Sequence, residues 1–193
     1  LLDNYKAGIQ VKPIDYTISE FADIWLNDHI RLELRENSYL ALKQIITSHV
    51  KPSVGNISLQ KLRVPHVQEM VRLKLDSGLS PATVKKIRNA LHAIVEYAVQ
   101  LDLLGRNPVK MVSVKNIQRP EVKTLSRGKL QQLLQEAKSH FLYPAVLLLA
   151  TTGLRRSEVC GIKWSDINLD QGTIFIQRTV VKLGGYGILI QDV

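Results

Sequence analysis

The chain has 193 residues, of which 45% are apolar, and carries a net charge of +9 from 26 basic and 17 acidic side chains. No apolar run approaches the roughly 20 residues that a membrane-spanning helix needs. No two of the five histidines stand at metal-ligand spacing, and a lone cysteine, Cys160, can form neither an internal disulfide nor a cysteine-based metal site. The expectation is a cytoplasmic protein of one large or two small domains, needing no metal or cofactor.

The charge is unevenly placed. Residues 15–36 hold six acids and two bases, whereas residues 37–95 hold nine bases and two acids. A basic block beside an acidic one makes a directional surface field, for which nucleic acid is the natural partner. A basic domain whose lysines are merely solvated fits the count equally well.

Residues 1–14 read as a linker or the tail of an upstream domain, ending at Lys12-Pro13. Thr17-Ile18-Ser19-Glu20 has the form of a capping box, and Ile18, Phe21, Ile24, Trp25 and Leu32 share one face of a helix over 18–32. A second helix begins near Ser38, buries Tyr39, Leu42, Ile46 and Val50, and stops at Lys51-Pro52. Pro65 suits the first residue of a third helix over 65–76, ended by Ser77-Gly78. Ser80 and Pro81 open a fourth, in which Val84, Ile87, Leu91, Ile94 and Ala98 recur at steps of 3, 4, 3 and 4, a narrow apolar stripe. Lys85, Lys86 and Asn89 lie opposite that stripe, and Arg88 and His92 flank it.

These four helices make an all-α domain over 15–108, followed by a basic linker over 109–123. Beyond it, Ser126 caps a helix over 127–138 and residues 143–151 form a more apolar, buried helix that breaks at Gly153. After a turn at 170–172, residues 173–181 are rich in β-branched side chains and read as a strand. Gly184-Gly185 and Gly187 bracket a second turn, and residues 188–193 start a partner strand. A sequence that stops inside a hairpin reads as a fragment.

The most informative stretch is Thr151-Thr152-Gly153-Leu154-Arg155-Arg156-Ser157-Glu158-Val159-Cys160-Gly161-Ile162-Lys163-Trp164-Ser165-Asp166-Ile167. A phosphodiester repels nucleophiles and gathers further negative charge as a fifth bond forms at phosphorus. A permanently protonated, planar arginine fork fits two phosphate oxygens, and fixing it after a helix break preorganises it for phosphoryl transfer. Glu158, one turn on, is placed to orient Arg155. By itself an arginine followed three residues later by a glutamate is usually a solvated surface pair. Arg156 reads as a surface residue, Cys160 as core, and Trp164 and Asp166 as structural braces.

This stretch closely resembles the first active-site box of the tyrosine recombinases of the phage integrase family. The helical domain, with its Leu79-Ser80-Pro81-Ala82-Thr83-Val84 entry and Gly105-Arg106-Asn107-Pro108 exit, resembles that family's core-DNA-binding domain, and the likeness runs over about 15–193. The resemblance implies a mainly α chain with a small β-hairpin, a four-helix SAM-like domain followed by the first part, 124–193, of an α+β catalytic domain.

It further implies a site-specific recombinase that breaks and rejoins DNA through a 3′-phosphotyrosine, with Arg155 catalytic and Glu158 supporting. The family's second box and its nucleophilic tyrosine are expected beyond residue 193, so this chain is expected to bind DNA without cleaving it. The family also uses a catalytic lysine in this hairpin, for which Lys182 is the candidate present, although its Val-Val-Lys-Leu-Gly-Gly context is unlike the family's and the true lysine is expected beyond residue 193. Expected partners are duplex attachment or crossover sites, a homotetramer on DNA and accessory DNA-bending or excision proteins in the bacterial nucleoid.

Expected DNA contacts are Thr83, Lys85, Lys86 and Asn89 on the fourth helix, with lysines on phosphates and Asn89 on an adenine edge. Lys43, Arg72 and Lys74 follow, then Lys110, Lys115 and Arg119 of the linker. A non-catalytic DNA-binding relative and a helical protein-interaction domain are the other readings. A longer reading frame separates the first from the recombinase, and salt-dependent DNA binding separates the second.

Overall fold

The computed structural model describes residues 15–115, 124–183 and 187–192. The chain divides into two compact units, residues 1–119 and 120–193. The expected upstream tail (residues 1–14), residues 116–123 of the linker and the Gly184-Gly185 turn lie outside the described residues.

The first unit is helical. Helix α1 (Ile18–Ile24) starts on the capping box at Thr17: Glu20 N–H donates to Thr17 Oγ1 at 3.2 Å, and Thr17 N–H donates to Glu20 Oε2 at 2.9 Å. It runs on through a π-helical segment, Trp25–Ile30, into a last turn, Arg31–Glu33. The wide turn inserts one extra residue, so the buried arc passes to Leu26 and Ile30. Leu32, expected on the buried face, is therefore 85% exposed.

Helix α2 (Glu36–Ile45) likewise widens into a π-helical Ile46–Val50 and continues as Lys51–Val54. The expected stop at Lys51-Pro52 thus falls inside the helix, just after a wide turn that makes room for a proline ring. It ends at Gly55, where a Cβ would stand 2.3 Å from the Lys51 carbonyl oxygen. Helices α3 (Val64–Asp76) and α4 (Pro81–Gln100) complete the bundle. Ser80 caps α4 by accepting from Thr83 N–H at 3.2 Å, and the helix ends at Gln100, before a left-handed Asp102.

Phe21 and Trp25 pack with Ile46, Val50, Val67 and Met70 around the α4 stripe in a single core. That stripe is wider than the spacing indicated, because Ala90 and Val95 are buried beside Val84, Ile87, Leu91, Ile94 and Ala98. The same core takes in Val109 and Val112 from the segment after α4, which includes a 3-10 turn at Pro108–Met111.

The second unit holds α5 (Arg127–Ala137), α6 (Tyr143–Thr152) and the short α7 (Arg156–Val159), then two antiparallel strand pairs. Strand β1 (Ile167–Asn168) pairs with β2 (Thr173–Ile174), and β3 (Arg178–Leu183) with β4 (Gly187–Asp192). The single strand expected over 173–181 is therefore two, which leave their first partner for a second between residues 174 and 178.

The break is pinned at Asp166, the one residue of this unit that is buried among those described. Its carboxylate accepts from the Arg178 guanidinium and, at 2.8 Å, from Lys163 N–H, while its carbonyl accepts from Phe175 N–H at 2.9 Å. Asp166 is the expected brace; Trp164 is 84% exposed and braces nothing among the described residues. Helix α6, expected to be buried, is half-buried to exposed, and Cys160, expected in a core, is exposed. Three helices, the last a single turn, and two small hairpins offer too little apolar surface among the described residues to enclose either.

Two outcomes follow from this packing. Ile94→Ala, at a fully buried α4 position, lowers the stability of the first unit by about 2–5 kcal/mol in urea unfolding; a loss below about 1 kcal/mol would mean the bundle is not packed as described. In the second unit, the Arg178 guanidinium first, and Lys163 N–H second, hold the Asp166 carboxyl below its usual range. A depressed folded value means the pair's contribution is complete above about pH 4 and is lost as pH falls through that value. Amide exchange in β3 and β4 therefore accelerates on acidification, and Asp166→Asn brings that fast exchange to neutral pH. Unchanged protection in Asp166→Asn would remove the pair from the account.

Candidate active-site box and nucleic-acid interface

The box is built by a helix break. Helix α6 ends with the Thr151 and Thr152 hydroxyls donating back to the Leu147 and Leu148 carbonyls, at 2.8 and 2.6 Å. Gly153 then takes φ +70°, the left-handed conformation that glycine enters without steric cost. Two residues later Arg155 stands in extended conformation as the residue preceding α7.

Glu158 reaches back from the first turn of α7 and accepts from Arg155 N–H at 2.8 Å and from Arg155 Nη1 at 2.9 Å. The backbone donor first, and the guanidinium second, hold the Glu158 carboxyl below its usual value, so it stays an anion at neutral pH. The two side chains differ in exposure: Glu158 is 17% exposed and Arg155 83%. The carboxylate is a fixed base plate, and the guanidinium stands in solvent with Nε and Nη2 making no hydrogen bond among the described residues. Such a cation can take two oxygens of a tetrahedral anion without breaking its own support.

Arg156 is exposed and belongs to no ion pair among the described residues, as a surface residue should. Lys182 occupies β3 opposite Ile188, and its side chain lies outside the description.

A second feature lies wholly within the first unit. The segment 108–115 crosses α4 and with it bounds a basin of about 400 Å³ lined by Lys85, Arg88, Asn89, Lys110, Val112, Ser113, Val114 and Lys115. Four of the expected DNA contacts, Lys85, Asn89, Lys110 and Lys115, are thus brought together. Lys85, Lys86 and Lys115 are exposed and enter no ion pair among the described residues; Lys86 stands on α4 outside the basin lining. Thr83 is half-buried, its hydroxyl 2.9 Å from the capping Ser80 hydroxyl.

Other expected contacts are spoken for. Lys110 donates to Glu96 at 2.7 Å, and that ammonium, followed by the Asn107 amide, keeps the Glu96 carboxyl below its usual range. Arg72 is held between Glu69 and Asp76, at 2.6 and 2.9 Å. Lys43 lies 5.8 Å from the Tyr39 ring centre, and Lys74 is half-buried; these three, on α2 and α3, do not line the basin. Arg119 lies outside the described residues.

Sequence reasoning passed over Arg88 and Glu96 as functional residues. Arg88 donates to the Val112 carbonyl at 2.9 Å and the Val109 carbonyl at 2.7 Å, tying the crossing segment to α4. Its place at the margin of the apolar stripe was the available signal.

Comparison with known proteins places these features. The chain matches a model described as phage integrase, N-terminal SAM-like domain, over residues 17–75, and one described as phage integrase family over residues 123–185. It is 24% identical over 189 residues to a tyrosine recombinase XerC-like protein of Caldanaerobacter subterraneus, covering 94% of this chain and 48% of that one. It is 24% identical over 156 residues to the ICEBs1 integrase of Bacillus subtilis, covering 80% and 42%. The chain spans about half the length of the curated relatives it matches. Among solved structures, the Tn1549 transposon integrase in complex with circular intermediate DNA superposes with a TM-score of 0.80 at 20% identity, over 92% of this chain and 59% of that one. A lambda integrase tetramer bound to a Holliday junction gives 0.70 at 19%, over 97% and 53%. With a helical unit and an α+β unit matched in order by the phage integrase SAM-like model and the phage integrase family model, the chain belongs to the phage integrase family of tyrosine recombinases.

Proposed function

We propose that this chain supplies the DNA grip and the phosphate-binding arginine of a site-specific recombinase that cleaves and rejoins DNA through a 3′-phosphotyrosine. The observation that carries the reading is Arg155: a guanidinium 83% exposed, yet fixed at its base by Glu158. In the reaction a tyrosine oxygen attacks phosphorus and the bond to the 5′ oxygen breaks. The phosphate passes to the tyrosine, and the 5′ oxygen leaves as a hydroxyl. Strand exchange reverses the step on a new 5′ hydroxyl, so bond energy is conserved and neither metal nor cofactor enters. Arg155 neutralises the non-bridging oxygens where charge gathers, and Glu158 keeps it from relaxing when that charge appears.

The tyrosine comes from outside this chain. Of the described tyrosines, Tyr39 is buried, Tyr16 and Tyr97 pack against the helical core, and Tyr143 begins α6. Lys85, Lys86 and Lys115 set the backbone register on a duplex. The relatives captured on DNA support duplex crossover sites as the partner, and the tetramer on a Holliday junction supports a homotetramer. The bacterial nucleoid as location and accessory DNA-bending or excision proteins complete the proposal.

The 193-residue chain by itself is expected to bind duplex DNA with a steep salt dependence and to form no covalent adduct. Replacing Lys85 and Lys86 by alanine lowers the salt slope by about 1 to 2 and weakens binding about tenfold or more near 0.1 M salt. Fluorescence anisotropy across about 50 to 200 mM salt measures both, and a denaturing gel of the same mixture detects adducts. An unchanged slope puts the grip elsewhere, and a covalent adduct refutes the outside tyrosine.

A further inference from the structure

Arg88 stands on α4 between Lys85 and Asn89 and lines the basic basin, so its charge alone would make it another phosphate ligand. Its hydrogen bonds point inward instead. Nε donates to the Val112 carbonyl, Nη2 to the Val109 carbonyl, and Nη1 to Asn89 Oδ1 at 3.1 Å. Every nitrogen of the guanidinium already donates within the unit.

The last of these bonds settles the Asn89 amide. A guanidinium has donors and no acceptor, so the group facing Arg88 has to be the amide oxygen, and the NH2 is left to point away. Asn89 is exposed and lines the basin, so what it offers an incoming duplex is Nδ2. Reading adenine takes both ends of the amide, the oxygen accepting from N6 and the nitrogen donating to N7. With its oxygen turned toward Arg88 and one of the two lone pairs taken there, the amide presents its NH2 donors outward. Guanine presents two acceptors, N7 and O6, on the same edge.

We propose that Arg88 is a positioning residue and not a phosphate ligand: by holding Asn89 Oδ1 and the two carbonyls of the crossing segment, it makes Asn89 a donor that selects guanine over adenine. This rests on the DNA-binding reading above. The position is also rigid, since the residue that orients the amide anchors the segment closing the basin.

The experiment selects from a pool of random-sequence duplexes with the 193-residue chain, as wild type, Arg88→Met, Asn89→Ala and the double variant. The wild type enriches guanine at one position, and Asn89→Ala loses that preference. Arg88→Met releases Oδ1 and shifts the same position toward adenine, a shift absent in the double variant. A residue that merely held the fold together would not move one base preference in a manner that depends on Asn89. Salt titration on the same pool leaves the slope of Arg88→Met unchanged, where loss of a phosphate ligand lowers it by about 1.

A lowered slope overturns the proposal, as does a wild-type preference for adenine at the Asn89-dependent position or a pool with no such position. If circular dichroism shows Arg88→Met unfolded, Arg88→Lys serves: its single ammonium keeps the charge but cannot hold Asn89 and both carbonyls, and the same shift toward adenine is expected. Absence of that shift in a folded Arg88→Lys overturns the proposal too. Failure of the wild type to retain any duplex is a different result, and removes the DNA-binding reading itself.

Discussion

A guanidinium that is to meet a phosphate has to satisfy two opposed requirements. It must be exposed, or the anion cannot reach it, and it must be held, or its long side chain spends its order on arrival. The turn at Gly153 and the short helix after it meet both. The left-handed glycine ends α6 abruptly, Arg155 leaves the chain just before α7, and Glu158 grips both its backbone N–H and its Nη1. Because the carboxylate bonds the backbone as well as Nη1, the arginine is held while its Nε and Nη2 face solvent. Beyond α7, the buried Asp166 carboxylate accepts from Arg178 and from Lys163 N–H and fixes the turn into the hairpins.

The first unit applies the same economy to a larger surface. It is basic by count, and several of the cations that a sequence would offer to DNA are held where they stand. Glu69 and Asp76 take Arg72, Glu96 takes Lys110, Asp23 takes Lys51, and backbone carbonyls take Arg88. The lysines left in solvent around the basin, Lys85 and Lys115, lie beside an amide of fixed orientation, with Lys86 on the same helix. A polyanion at the basin therefore meets Lys85 and Lys115 unpaired, while Lys110 and Arg88 beside them are already held. The balance also shows in His92, whose imidazole is pushed below its ordinary value by burial first, and then by the cations Arg88 and Lys110, against the opposing pull of Glu96.

Much of this was legible from residues alone, and the exceptions have physical causes. Caps and stripes are local, so the Thr17 box, the Ser80 cap and the α4 stripe could be read directly, and so could the placement of Arg155 after a glycine break. The two π-helical turns were not legible, because one extra residue per turn is an outcome of packing and leaves no mark in a 3.6-residue pattern. Leu32 and the Lys51-Pro52 stop were misplaced for that reason. Residues 173–181 have strand composition throughout, but composition does not say which neighbour a strand pairs with, and the Asp166–Arg178 pair divides it. Ion pairing was legible only in part: Glu69 and Asp76 flank Arg72 at helical spacing, whereas Glu96 meets Lys110 from fourteen residues away and only through the fold. The resemblance to the integrase box named the family, while the roles of Arg88 and Glu96 came only from the coordinates.

The proposed chemistry depends on Arg155 meeting a phosphate while Glu158 retains its base. Nuclear magnetic resonance of the guanidinium nitrogens during titration of the labelled chain with a duplex observes that contact without requiring catalysis. The account predicts that Arg155 Nε and Nη resonances shift and their rotation slows as DNA is added, and that Glu158→Gln abolishes the slowing while Lys85 still responds. Arg155 resonances that stay unchanged at saturating DNA, while the α4 lysines shift, would contradict it.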